Sequence, residues 1–266
     1  MATKLSIILC ARNDNYCGNP IERLNIALNH AAVVLEDEDY EIKVTDGGSD
    51  VPISEACDIS DEARENIEFI YVPKDVTSSF DTPFSEVHAL NCAARKCTGD
   101  FIGRIDQDIL IGSSFVDWYF SDAPHIDTVY FCDRRDMEEG QPYETYLDTP
   151  YQVWSGFRSR CEFWQTYVGL FLVPREVWHD LRGYDEKHIW KDGMEREFIV
   201  RLKRDRPLEN LAEHTPVPYD FYHLWHPRDD NKGRKKNSRK YCVGLDEKRD
   251  IPLVPNGEDW GLVDLI

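Results

Sequence analysis

Asp106 and Asp108 stand one residue apart directly after the apolar run FIGRI, and two carboxylates so spaced at a strand end offer oxygen ligands to a hard divalent cation. Alone the pair says little, because 50 of the 266 residues are acidic. A second turn, Asp46-Gly47-Gly48-Ser49, closes the run EIKVT. Its glycines suit a backbone that must approach a ligand closely, although a plain tight turn accounts for them equally. His88, Cys92 and Cys97 have the residue types of a zinc site, but they lie in HALNCAARKC, where small cysteines are ordinary packing residues of a helix. The formal net charge of −19 excludes nucleic acid and anionic membranes as general partners, because such a surface repels phosphate polymers. A phosphate-bearing ligand would need a local device. Two are available: a bound cation, and the one basic run, KGRKKNSRK from Lys232 to Lys240, which reads otherwise as a solvated loop.

These turns can form one site only if the elements before them end side by side. LSIILC, residues 5–10, is a continuous apolar run of the kind buried in a parallel sheet, and Arg12 follows it. Pro20 then opens IERLNIALNHAAVVL, with Ile21, Leu24, Leu28, Ala32 and Leu35 at helical spacing. The strand EIKVT comes next, then a strand over 67–73, a helix over 85–97 closed by Gly99 as a C-cap, and the strand FIGRID. This order predicts an α/β fold with a mostly parallel sheet joined by right-handed crossovers. Ligands of such sheets bind beyond the carboxyl ends of the strands, so Arg12, Asp46, Asp106 and Asp108 should face one crevice. From about residue 125 the sequence is aromatic-rich and should cover that crevice. Residues 231–266 read as a basic loop and an extended tail packed on a single domain. No run of about 18 apolar residues occurs, and the eight cysteines have no repeated spacing, which points to reduced thiols in the cytoplasm and no transmembrane segment.

The run Asn91 to Asp108, NCAARKCTGDFIGRIDQD, resembles the family 2 glycosyltransferases, with an Asn in a helix, Ala, Gly-Asp, an apolar strand and D-x-D. SIILCARND and EIKVTDGGSD are similar to the earlier strands of that family. VGLFLVPREVWHDLRGYDEKHIW, GMEREFIVRL and YHLWHP are similar to its later blocks, in the same order, and this second half also resembles the galactosyltransferase type. The resemblance covers roughly residues 5–228. It implies the GT-A fold over residues 1–230, with a nucleotide-binding half to about 115 and an acceptor-binding half after it. It implies a nucleotide-diphosphate sugar as donor and a glycan or other hydroxyl as acceptor. Ala11, Arg12, Asp46, Gly48, Asn91, Arg104, Asp106, Gln107 and Asp108 would line the donor site, with Asp46 on the base or ribose and Asp106 near ribose and metal. Asp108 would ligate Mn²⁺, or Mg²⁺, together with His223 or His226, a choice that the sequence leaves open.

The acceptor hydroxyl needs a carboxylate base. The family's Glu-Asp element is altered here: aligned back from Glu197-Phe198 and Arg201-Leu202, Met194 stands opposite the glutamate and Glu195 opposite the aspartate, which makes Glu195 the base. A frame shifted by one puts Arg196 there and leaves Asp192 or Glu197. Trp154 and Trp190 could stack on a sugar face, and core packing explains either as well. A nucleotidyltransferase would need a glycine-rich basic loop after the first strand, where CARNDNYCGNP has one Arg and one Gly. A nucleotide-sugar-binding protein without activity is the other alternative.

Overall fold

The computed structural model describes residues 4–15, 17–79, 84–122, 124–137, 139, 158–159, 169–188, 194–215, 220–227 and 251–264. The amino-terminal half alternates as the apolar runs require: β1 (Leu5–Ala11), α1 (Pro20–Val34), β2 (Tyr40–Asp46), the short helices α2 (Ile53–Ala56) and α3 (Asp61–Glu65), β3 (Ile67–Tyr71), α4 (Lys74–Thr77), α5 (Glu86–Arg95) and β4 (Phe101–Arg104). Then follow β5 (Ile109–Ile111), α6 (Ser113–Asp122), β6 (Val129–Cys132), β7 (Arg135–Asp136), β8 (Arg158–Ser159), β9 (Leu170–Pro174), α7 (Arg175–Asp180), α8 (Met194–Leu202), β10 (Leu208–Asn210) and β11 (Phe221–His223).

A seven-stranded sheet runs in the order β10-β6-β9-β4-β1-β2-β3, and only β9 is antiparallel to its neighbours. This mixed, mostly parallel sheet flanked by helices is the α/β architecture expected. Side chains alternate across it: Ile7 and Leu9 pack with Leu24, Leu28 and Phe115 on one face, while Ile8 packs with Leu90, Ala93 and Trp178 on the other. Each such Leu or Ile, fully buried, contributes about 1.5–3 kcal/mol, so the central strands are held from both faces. A second sheet, β5-β11-β7-β8, crosses the carboxyl end of the first and carries the sequence after Asp108 against the sequence before His226.

Gly99 was expected as the C-cap of α5. The helix instead closes at Lys96, and Gly99 serves a close approach: a Cβ there would lie 2.7 Å from Lys4 O and Ser6 N. The strand expected over 67–73 is shorter, ending at Tyr71. Residues 251–264 pack back onto both halves, with Arg95 Nη1 donating to the carbonyls of Glu258 and Trp260, and Asn256 Nδ2 to those of Arg182 and Tyr184. Among the described residues no helix is long and apolar enough to cross a membrane.

Candidate active site

The parallel register brings the carboxyl ends of β1, β2 and β4 together, since Ala11 pairs with Asp46 and Arg104 with Ile8. Ile105 N–H extends this pairing by one residue, donating to Ile8 O, and Asp106 follows outside the strand. The chain then turns into β5, whose antiparallel partner β11 sets Ile109 opposite His223. That pairing is why residues more than a hundred positions apart meet.

Asp108, His223 and His226 form the one group among the described residues able to hold a metal ion, with ligand atoms within 4.8 Å of one another. His223 Nε2 lies 3.4 Å from Asp108 Oδ1, and His226 Nε2 lies 3.6 Å from Asp108 Oδ2. Each imidazole is held by its other nitrogen. His223 Nδ1 faces Asp136 Oδ1 at 3.2 Å, and His226 Nδ1 donates to Pro227 O at 3.0 Å. A proton on each Nδ1 leaves both Nε2 lone pairs toward the shared carboxylate, the arrangement in which histidines ligate metals. Burial lowers the His226 pKa, which keeps that ring neutral and fit to ligate. One carboxylate and two imidazoles fit Mn²⁺ better than Mg²⁺, which prefers oxygen. Both histidines therefore sit at the cluster, where the sequence could not choose between them.

Arginines fill the rest. Arg23 Nε donates to Asp108 Oδ2 at 3.1 Å from within α1, 85 residues away. Asp106 is held by two cations, Oδ1 to Arg104 Nη2 and Oδ2 to Arg134 Nη1, both at 2.7 Å. Arg134 Nε also donates to Asp136 Oδ1 at 2.9 Å. Arg104 Nη2 lies 2.8 Å from Glu86 Oε1 and 3.4 Å from Glu195 Oε1. A chain of polar contacts thus runs from Glu195 through Arg104, Asp106, Arg134 and Asp136 to His223 and Asp108. Arg23, Arg134, Asp136 and Glu86 were missed by the sequence reading. The triplet Arg134-Arg135-Asp136 after an apolar strand was the available signal.

Glu195 stands in the first turn of α8 with its side chain 18% exposed, so it is reachable from solvent. Burial raises its carboxyl to about 7, opposed by Arg104 and reinforced by Glu86 and Asp106. Glu197, an alternative base, is corrected: it is buried, and its Oε1 and Oε2 accept from Arg201 Nε at 2.7 Å and Nη2 at 2.8 Å. Residues two apart on a helix point to nearly opposite sides, so Glu195 and Glu197 cannot serve one crevice.

Three residues expected at the donor site make contacts within the protein. Asn91 is fully buried, and its amide bridges α5 to the turn after α7, accepting from Tyr184 N–H and donating to Tyr184 O and Glu186 Oε1. Arg104, 3% exposed, lies among the carboxylates of Glu86, Asp106 and Glu195. Asp46 shapes its own turn, its carboxylate accepting from Ser49 N–H, Ser49 Oγ and Ile53 N–H at 2.6–2.9 Å. Gly48 in that turn has φ +81°, and Gly47 lies under Phe84, whose ring a Cβ would meet at 2.1 Å. Ala11 is buried, its carbonyl accepting from Gly47 N–H. Arg12 Nε lies 3.6 Å from Asp14 Oδ2. Gln107 Oε1 is buried and has no hydrogen-bond partner among the described residues. Cys92 and Cys97 are thiols pushed up to about 12 by burial, in no metal-binding group with His88. Asp192, Trp154, Trp190 and the run from Lys232 to Lys240 lie outside the described residues.

No protein-family model and no curated protein sequence matches the chain. Solved structures do. TarS of S. aureus shares 14% identity at TM-score 0.54, over 84% of this chain and 37% of that one. TarS 1–349 in complex with UDP-GlcNAc shares 14% at TM-score 0.52, over 85% and 60%. The mannosyltransferase PcManGT from Pyrobaculum calidifontis, in complex with GDP-Man and Mn²⁺, shares 12% at TM-score 0.51, over 87% and 59%. The chain spans 37–60% of the length of these structures. At such identities the likeness speaks for architecture, and the sheet order with its single antiparallel strand agrees with it: the chain has the GT-A fold.

Proposed function

We propose that this protein is a metal-dependent glycosyltransferase, moving a sugar from a nucleotide diphosphate to an acceptor hydroxyl by a single inverting displacement. The observation that carries the reading is the meeting of Asp108, His223 and His226, each imidazole anchored at Nδ1, beyond the carboxyl end of the sheet. The neighbours crystallised with UDP-GlcNAc, and with GDP-Man and Mn²⁺, support a nucleotide sugar and Mn²⁺.

Asp108, His223 and His226 would hold the ion. When bound, it supplies Lewis-acid stabilisation of the negative charge that gathers on the departing diphosphate. Arg23 and Arg134 add positive charge beside it. Glu195 takes the proton of the acceptor hydroxyl as the hydroxyl oxygen attacks the anomeric carbon and the bond to the diphosphate breaks. Its carboxyl, raised to about 7, is a better proton acceptor than an ordinary carboxylate and is ionised in half or more of the molecules at and above that pH. The free thiols among the described cysteines favour the cytoplasm as its place of work.

A panel of UDP- and GDP-sugars with a mixture of hydroxyl acceptors, read as released nucleoside diphosphate, tests the reading. Release should require Mn²⁺ and stop in excess chelator, and Glu195→Gln should lower kcat by about 10² or more. Chelator-resistant transfer overturns the metal assignment; an active Glu195→Gln enzyme overturns the base. Binding of a nucleotide sugar with no turnover would favour the inactive binding protein. Release of sugar 1-phosphate, the leaving group when the α-phosphate is attacked, would favour the nucleotidyltransferase.

A further inference from the structure

Arg104 ends β4 with a side chain only 3% exposed. Its Nη2 meets Asp106 Oδ1 at 2.7 Å, Glu86 Oε1 at 2.8 Å and Glu195 Oε1 at 3.4 Å. Among the described residues its Nε and Nη1, both buried, have no hydrogen-bond partner. The contrast with Arg201 is informative. That guanidinium, equally buried, spends all three nitrogens, donating to both oxygens of Glu197 and to the carbonyls of Leu181 and Gly183. Arg201 is what a cation kept for stability looks like. Arg104 leaves buried donors unpaired, at a cost that folding alone does not explain, and turns one nitrogen to three acids from three elements. Glu86 opens α5, Asp106 follows β4, and Glu195 belongs to the first turn of α8.

We propose that Arg104 is a positioning residue that holds the acceptor-side Glu195 and the donor-side Asp106 on one guanidinium, so that the two halves of the crevice are set in place and in charge together. The inference rests on Glu195 being the base. The three carboxylates around this buried cation interact with it and with one another, and Arg134 holds Asp106 as well, so the charge on each depends on the others. The groups facing Glu195 among the described residues are Arg104 and Asp106 from β4 and the turn after it, Glu86 from α5, and Tyr184 from the turn after α7, whose phenol burial keeps protonated. Removing Arg104 should therefore favour the protonated Glu195 carboxyl. Removing the charge of Glu86 should favour the ionised one. An arginine that only packs the fold, out of reach of Glu195, produces no such pair of opposite effects.

The carbonyl stretch of the protonated Glu195 carboxyl, identified as the infrared band missing from Glu195→Gln, gives a direct titration in the whole protein. Its midpoint should rise by about one pH unit or more in Arg104→Met and fall by about half a unit or more in Glu86→Gln. In Arg104→Lys, which restores the charge, it should return to within about half a unit of wild type. The acid limb of kcat/KM should move in the same directions. Midpoints unchanged in both Arg104→Met and Glu86→Gln overturn the proposal, as does an unchanged Glu86→Gln midpoint if Arg104→Met fails to fold. An active Glu195→Gln enzyme would remove the base assignment instead, leaving the infrared midpoints to judge the coupling by themselves.

Discussion

His223 is held by one ring nitrogen and offers the other. Asp136 faces its Nδ1 at 3.2 Å, and Arg134 in turn holds Asp136. A carboxylate behind a ligating imidazole fixes the ring's orientation and raises its basicity. Asp136→Asn should therefore weaken Mn²⁺ binding by about 10–100-fold, measured by calorimetry with a nucleoside diphosphate present, although Asp136 is not among the three ligand residues. Unchanged affinity would take Asp136 out of the site. Arg23 acts in the opposite sense, since its Nε already occupies one side of Asp108 and offsets that carboxylate's charge. The cluster's own side chains thus carry little net charge when both imidazoles are neutral.

Helix α8 separates function from stability on its two sides. Glu195 faces the ion chain, while Glu197 enters the core with Arg201, four residues on, whose guanidinium also lies 4.7 Å from the Phe198 ring centre. Breaking a buried pair leaves a charge without its partner. Glu197→Gln should cost about 3–5 kcal/mol, read as a shifted urea midpoint, because Arg201 stays charged and buried. Glu195→Gln should unfold close to wild type, since it removes one of three crowded acids. Equal losses for the two would mean that the sides of the helix are not distinct in this way. Helix α5 makes a similar division: its first residue, Glu86, serves the ion chain, and Asn91 ties it to the turn that ends α7.

The far end of the sheet carries an acid-sensitive carboxylate. Glu41 on β2 is raised by burial, but hydrogen bonds from Ser6 Oγ and Thr98 N–H, and the charge of Lys43, outweigh this and hold it at about 2. Its ordinary value is 4.5, so its contribution is fully present above that pH and is lost as the pH falls from about 4.5 through about 2. Glu41→Gln should be less stable than wild type at pH 7 by about 1–3 kcal/mol. The difference should shrink as urea midpoints are measured toward pH 2, and a gap that stays constant would show that Glu41 is not the group responsible. Because this cluster lies at the amino ends of the strands, its titration is separated from that of Glu195 at the carboxyl ends.

The strands were legible in the sequence because runs such as LSIILC can be satisfied only inside a sheet, and α1 because its apolar residues recur at helical spacing. Both signals are local, set by backbone geometry within a few residues. The D-x-D at a strand end was legible for the same reason, and helical periodicity places Glu195 and Glu197 on different sides of one helix. Tertiary structure alone decided that Arg23 reaches Asp108 across 85 residues, that β11 beside β5 brings both histidines to that carboxylate, and that Arg104 and Arg134 divide Asp106 between them. It also gave Asn91, Asp46 and Arg104 their partners within the protein. Charge pairing of this kind depends on which strands become neighbours and in what register, and the identity of a charged residue in a sequence carries no record of its distant partner.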